Sequence, residues 1–151
     1  MMCTYSRYPE QTKQVAGTMK NGPRRFWKIY RLSKNGRRLC SAYRLVDAVL
    51  QHGWVVSNRP QKSSRNLSRY EQREQRVNRA IHVFRTKASA KSLACFYWDD
   101  GLVVVIPIWG HAEDFLCADH AHAAFYRVEL KPADRKAALT KLRAMRDKGT
   151  A

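Results

Sequence analysis

The longest apolar run of the chain, residues 102–109, constrains the fold more than any other segment. Because this run is rich in β-branched residues and much shorter than a membrane span, it predicts a strand buried on both faces inside a sheet. Pro107 lacks an amide hydrogen and belongs at a strand end, an edge or a bulge. We therefore predict that the ladder covers residues 102–106 and that residues 107–109 leave the sheet.

The rest of the chain alternates short strand patterns with helical patterns. Side-chain alternation and turn residues predict further strands at residues 26–32, 38–44, 54–56, 79–84 and 123–130. Apolar periodicity and capping residues predict helices at residues 45–51, 87–97 and 132–148, with a polar loop or short helix at residues 110–122. Residues 1–25 show neither period and predict an extended N-terminal arm. Together these elements predict one α+β domain over residues 26–151, with a mixed or antiparallel sheet of about five to six strands and helices mainly on one face.

Positive charge is the strongest indication of function in the sequence, and it is unevenly distributed. The chain has 29 Lys and Arg against 12 Asp and Glu, a formal net charge of +17. Residues 1–80 hold 18 of these cations against 4 acids, whereas residues 81–130 hold 4 against 6. A field of this size attracts polyanions, so it favours nucleic acid, a nucleoprotein complex or an acidic protein as the partner.

The most basic segment, residues 59–79, has too few apolar residues to form part of a core. A capping-box spacing inside it predicts a solvated basic helix or a loop that orders on a partner. We predict that its cations neutralise phosphates and that Tyr70 stacks on bases, whereas Phe26 and Trp54 lie in the core. The predicted nucleic-acid-binding residues are Arg37, Arg38, Arg44, Arg59, Lys62, Arg65, Arg69, Tyr70, Arg73, Arg76 and Arg79.

Residues 111–122 concentrate three histidines, one cysteine and three carboxylates. Such side chains bind zinc only where three or four of them converge. No H-x-x-x-H, H-E-x-x-H or C-x-x-C spacing is present, so we predict a polar connection and no metal site. The weak candidates for a metal site are His111, Asp114, Cys117, His120 and His122. With His82, they are also the basis of an alternative function, a small enzyme acting as a nucleotide transferase or a metal-assisted hydrolase.

Several segments resemble a recurrent pattern in small uncharacterised proteins of phages and prophages. The pattern runs from W-K-I-Y-R through I-H-V-F, an alanine-rich helix and V-V-V-I-P-I to D-F-L-C-A-D and A-A-F-Y-R-V, discontinuously over residues 26–130. The resemblance implies an α+β fold and a viral origin, and it carries over no activity and no active-site residue. The basic segment at residues 59–79 departs from the pattern. From the resemblance alone we expect an accessory protein that inhibits a host defence system, as anti-CRISPR proteins do.

The sequence also indicates a compartment and a class of activity. The N-terminus has no apolar signal segment, and four isolated cysteines suit a reducing environment, so we predict a cytoplasmic protein of a host cell. We predict no cofactor, no catalytic residue and no membrane association. The primary prediction is a non-enzymatic protein that binds nucleic acid, either RNA or DNA, or a nucleoprotein complex. The alternatives are the enzyme described above and an adaptor that docks an acidic protein.

Overall fold

The computed structural model describes residues 8–42, 49–51, 53–56, 80–97 and 102–150, which form one antiparallel sheet packed with three helices. The helices are α1 (Pro9–Thr18), α2 (Lys87–Tyr97) and α3 (Pro132–Thr150). The strands are β1 (Arg24–Leu32), β2 (Leu39–Ser41), β3 (Val49–Gln51), β4 (Trp54–Val56), β5 (Ile81–Phe84), β6 (Val103–Gly110), β7 (Phe115–Ala118), β8 (His122–Phe125) and β9 (Arg127–Glu129). A short 3-10 helix, Ala112–Asp114, precedes β7. None of the described helices is both long enough and apolar enough to cross a membrane.

β1 and β6 are the central pair of the sheet. They pair antiparallel over their whole shared length, from Arg24 opposite Gly110 to Arg31 opposite Val103. Eight strands follow one another in the order β3-β4-β9-β6-β1-β5-β8-β7. The ninth strand, β2, pairs with the carboxyl end of β1, while β5 pairs with β1 at Trp27. Further strands thus extend the sheet on both sides of the central β1–β6 pair.

The sheet contains more strands than the five to six predicted from the sequence. Residues 122–129 form two strands instead of one, since the chain leaves the ladder at Tyr126, whose amide donates to the Asp114 carbonyl at 2.8 Å. β7 occupies part of the predicted loop, and β3 occupies the end of the predicted helix at residues 45–51. These strands have three or four residues, too few for a period of two to be distinguished from a turn or a helix.

β6 continues through Pro107 to Gly110, so the prediction that its ladder ends at residue 106 is wrong. β1 still pairs beyond that point, with Trp27 opposite Pro107. β9 pairs with β6 only at Trp109. At Pro107 the side of β6 that faces β9 has no ladder partner among the described residues, and a proline is compatible with such an incompletely paired position.

Two helices cover one face of the sheet and the third covers the other. α1 and α3 pack on the face that presents Phe26, Tyr30 and Phe125. α2 packs on the opposite face, where its Ala90 lies in a second cluster with Ile29. Successive residues of β1 therefore belong to two different cores, because strand side chains alternate between faces. Each fully buried Val, Leu, Ile, Phe or Met side chain in these cores stabilises the fold by roughly 1.5–3 kcal/mol.

Part of the predicted extended arm forms α1. Val15 and Met19 at this helix are 0% and 2% exposed and belong to the main core. Thr12 Oγ1 accepts a hydrogen bond from the Ala118 amide at 3.1 Å and donates to the Ala118 carbonyl at 3.3 Å. Because β7 is an edge strand, these bonds cover backbone groups that would otherwise offer a site for strand addition.

Gly110 provides a test of the packing between β6 and the core. A Cβ at this position would lie 2.7 Å from Phe125 Cε1 and 2.9 Å from Phe26 Cε2, closer than side-chain carbons approach. Gly110→Ala should therefore lower the free energy of unfolding by about 1–3 kcal/mol, measured by urea denaturation. The control is Gly17→Ala in α1, where the added methyl meets nothing within 4 Å and should stabilise the helix by up to about 1 kcal/mol. Equal effects of the two substitutions would contradict this packing.

Candidate functional site

Three half-buried tryptophans, Trp27, Trp54 and Trp109, lie on one face of the sheet. Arg25 lies opposite Trp109, and Glu129 lies opposite both Trp109 and Trp54. Paired residues of antiparallel strands project from the same face, as do residues two apart in one strand. We call this surface the tryptophan face: the three indoles together with the cations Arg25, Lys87, Arg127 and Lys131.

Two of the indole rings share a set of cations. The Arg25 guanidinium lies 5.8 Å from the Trp27 ring centroid and 5.2 Å from that of Trp109. Lys87 Nζ lies 5.2 Å from the Trp27 centroid, and Lys131 Nζ lies 4.4 Å from the Trp109 centroid. At these separations a cation is attracted to the ring by about 0.5–1 kcal/mol at an exposed site. The rings therefore hold positive charge at the surface without neutralising it.

A polar network fixes the third indole and its cation. The Arg127 guanidinium lies 4.3 Å from the Trp54 ring centroid, and its Nε donates to Asp114 Oδ2 at 2.9 Å. The His111 ring centroid is 5.0 Å from that of Trp54, and His111 Nε2 is 3.1 Å from Glu129 Oε1. The Asp114 side chain is 12% exposed and that of Arg127 is 44% exposed. The guanidinium is thus anchored at one end and accessible to solvent.

At the end of the tryptophan face that carries Trp27 and Trp109, the cations are not paired with carboxylates of the described residues. Within the described part of the chain, Arg25, Lys87 and Lys131 form no ion pair with a carboxylate. The Trp109 indole N–H is buried and has no hydrogen-bond acceptor among the same residues. This end therefore offers cations and aromatic rings together, which suits a ligand that is both anionic and flat.

Two more arginines lie next to the amino end of β1. Arg24 lies over the Phe26 ring at 5.3 Å and donates to Thr18 Oγ1 at 3.1 Å, while Arg85 donates to Gln11 Oε1 at 2.7 Å. Partial burial lowers the pKa of Arg24, and the positive charge of Arg85 lowers it further. The fold thus holds two like charges together on the face of the sheet that carries Phe26 and α1, opposite the tryptophan face.

The predicted binding residues Arg37 and Arg38 are exposed in the hairpin between β1 and β2. α3 holds this hairpin, because Arg143 Nε donates to the Gly36 carbonyl at 2.9 Å and Arg146 donates to three further carbonyls of the loop. The helix therefore adds its own cations to those of the hairpin. We call this surface the basic loop; its members are Lys34, Arg37, Arg38, Arg143 and Arg146.

A cleft of about 430 Å³ borders the basic loop, with Arg31 and Lys34 among its lining residues. It lies at the carboxyl end of β1, whereas Arg25 of the tryptophan face lies near the amino end. Arg31 follows Arg25 by six positions along β1, roughly 20 Å at the usual rise. The tryptophan face and the basic loop are therefore two separate basic surfaces at opposite ends of β1.

Most of the predicted nucleic-acid-binding residues cannot be placed on either surface. They lie outside the described residues: Arg44, Arg59, Lys62, Arg65, Arg69, Tyr70, Arg73, Arg76 and Arg79. Their role in phosphate contact stays a prediction. The basic surfaces described above are formed without them.

The histidine-, acid- and cysteine-rich segment does not converge on one point. No group of three or more His, Cys, Asp or Glu side chains among the described residues is arranged to hold a metal ion. His111 and Asp114 belong to the network around the third indole, His120 is exposed at the β7–β8 turn, and His122 pairs with Asp119. The individual side chains thus have separate local partners.

The two remaining candidates of this group, Cys117 and His82, are buried. Cys117 on β7 and His82 on β5 both lie opposite Ala124 of β8. Cys117 is 0% exposed and His82 is 7% exposed. A substrate in solution has no access to the thiol, so this arrangement does not support a cysteine nucleophile.

Sequence reasoning placed Phe26 and Trp54 together in the core, and only Phe26 lies there. Phe26 is 0% exposed, whereas Trp54 is half-buried on the tryptophan face. The sequence feature that could have indicated this face is the two-residue spacing of Arg25 and Trp27, which places both side chains on one side of β1. Trp109 was missed because Pro107 was taken as the end of the strand.

Comparison with known protein families, curated proteins and solved structures gives no match to this chain. The expected phage origin therefore stays a prediction. Function has to be inferred from the surfaces of the molecule itself.

Asp119 fixes the turn between β7 and β8. Its Oδ1 accepts hydrogen bonds from the amides of Ala121 at 2.9 Å and His122 at 2.6 Å, and it lies 3.3 Å from His122 Nδ1. Burial raises the pKa of Asp119, but the hydrogen bonds and the charge of His122 outweigh it, so the net pKa falls below its ordinary value of 3.8. The ionised carboxylate therefore stabilises the fold at neutral pH.

Asp119→Asn should lower the free energy of unfolding by about 1 kcal/mol at pH 7, because the charged acceptor is lost. The difference from the parent protein should shrink as the pH falls through and below 4, since the parent carboxylate is then protonated as well. Urea denaturation at pH 7, 5 and 3 measures this. Glu113→Gln, an exposed position nearby, is the control and should show little change; a difference for Asp119→Asn that persists at pH 3 would contradict the electrostatic origin.

Proposed function

We propose that this protein binds nucleic acid without catalysing a reaction, with the tryptophan face as its main contact surface. The observation that carries the proposal is the position of Arg25, Lys87 and Lys131 beside indole rings, without carboxylate partners among the described residues. Nucleic acid presents negatively charged phosphates and flat aromatic bases in the same molecule, and this surface has groups suited to both.

An acidic protein is the alternative partner, and the arrangement of aromatic rings argues against it. A carboxylate-rich surface would need cations but would make no use of three indoles on one face. The basic loop, by contrast, suits either partner, because its exposed groups are cations alone. The tryptophan face therefore supports nucleic acid over an acidic protein as the proposed partner.

The basic loop supports a contact that extends beyond one end of β1. Arg37 and Arg38 are exposed in the hairpin beyond the carboxyl end of β1, more than roughly 20 Å along the strand direction from Arg25. A polymer that reaches both ends would release counterions from each, so its binding would be strongly salt-dependent. Inhibition of a host defence system stays a prediction, since no feature of these surfaces bears on it.

Salt dependence tests the proposal. Affinity for labelled oligonucleotides, measured by fluorescence anisotropy from low to high salt, should fall with a log–log slope of at least roughly −2, the contribution expected from three phosphate contacts. The double substitution Arg25→Gln with Lys131→Gln should reduce the magnitude of that slope by about 1.4, because two of these contacts are removed.

The matched control changes the net charge equally at a different place. Lys136→Gln with Lys148→Gln removes two exposed cations from α3, which packs on the opposite face of the sheet. This control should change the slope much less than the first double substitution does. Equal effects would show that only net charge matters, and binding to poly-glutamate but to no oligonucleotide would favour the adaptor; either result contradicts the proposal.

A further inference from the structure

We infer that the tryptophan face takes unpaired bases, so that its ligand is single-stranded nucleic acid and not a duplex. The inference rests on the proposed function and names the ligand class of the same surface. It follows from how the indoles are spaced, how their cations are held and what a duplex can offer to such a surface.

The three indoles form a row across the sheet. Trp109 lies opposite Arg25, and Trp27 is two residues further along β1, so the two indoles are diagonal neighbours, about 7–8 Å apart at their Cα atoms. Trp54 and Trp109 both lie opposite Glu129, so two strand spacings, roughly 10 Å, separate them. Because the rings do not pack one upon another along a single strand, each can contact a different base.

Trp27 and Trp109 can exchange their cations for bases. The side chains of Arg25, Lys87 and Lys131 lie over these rings and form no ion pair within the described residues. A cation held at an exposed ring is bound more weakly than a stacked base. A base can therefore take the ring while the displaced cation moves to the adjoining phosphate, and the positive charge stays beside the strand.

Trp54 contributes in a different way, because its ring is already covered. Arg127 lies 4.3 Å from the ring centroid and is anchored by Asp114, so it does not leave the ring without breaking that ion pair. Unpaired bases also stack on guanidinium planes. The solvent-accessible guanidinium of Arg127, which packs on the Trp54 ring, therefore provides the third stacking position.

A duplex cannot use the indole rings of this surface. Its bases are stacked on one another and present only their edges in the grooves, so no ring face is available to an indole. Extruding a base from the helix costs unpairing and unstacking energy. A duplex would thus contact only the cations, whereas a single strand would contact cations and rings together.

Tryptophan fluorescence and a substitution at Trp109 test the inference. The probes are oligo(dT) and oligo(U) of about twelve nucleotides and a DNA duplex of the same length. Both single strands should bind at least about tenfold more tightly than the duplex and should quench the intrinsic tryptophan fluorescence. Trp109→Leu should weaken single-strand binding by about 5- to 150-fold, the range that loss of one stacked base predicts, and change duplex binding little. Trp109→Phe keeps an aromatic ring and should restore most of the affinity.

The possible results separate the two proposals. Equal affinity for single strand and duplex, without quenching by either, would overturn the inference and leave the proposed function intact. Absence of binding to every probe at low salt would overturn both. Thermal unfolding of each variant controls for folding, and the quenching of the unsubstituted protein provides a readout that does not depend on any variant.

Discussion

The register between β1 and β6 is the constraint on which the rest of the structure depends. A slip of one residue would move every side chain of β1 to the other face of the sheet. Phe26 and Tyr30 would then leave the main core, and Arg25 and Trp27 would enter it. The same pairing that buries the apolar side chains therefore also assembles the tryptophan face. Core packing fixes the register, and the register in turn fixes which cations lie beside which rings.

The two ends of the tryptophan face hold their cations by different means, and this gives the surface a gradient of charge. At Trp54, the carboxylate of Asp114 neutralises Arg127. At Trp27 and Trp109, ring quadrupoles attract the cations without adding negative charge, so these cations are not neutralised by the rings. A carboxylate in place of a ring would hold a cation just as firmly and would remove the charge. The choice of indoles therefore preserves attraction for an anionic ligand.

The sequence allowed much of the architecture to be predicted but little of the candidate site. The strand at β5, the Thr86-capped helix α2 and the Pro132-initiated helix α3 were predicted correctly, because capping residues and apolar periodicity are local signals. The short strands β7, β8 and β9 were missed or merged, since their existence depends on pairing with distant segments.

The tryptophan face illustrates the same limit for function. Arg25 and Trp27 are close in sequence, but Trp109 and Trp54 join them only through strand pairing. The net charge of +17 favours an anionic partner, but it could not indicate which surface would bind one. The charge distribution led to the prediction that residues 59–79 contact the anion. The described residues show a second concentration of cations, which no run of basic sequence marks. Cross-strand contacts carry this information, and a linear pattern does not contain it.

Some groups of the tryptophan face are held rigidly and others are mobile, and this combination would reduce the entropic cost of binding the proposed ligand. The indoles are half-buried on strands and Arg127 is tied to Asp114, so these groups lose little freedom when a ligand arrives. Lys87 and Lys131 have flexible side chains held only by weak ring contacts, and they can follow a backbone whose conformation varies. In the proposed complex with a single strand, a rigid aromatic row with mobile cations around it would tolerate different base sequences, because every base has a ring face and every nucleotide has a phosphate. A row of donors and acceptors aimed at base edges would have selected a sequence instead.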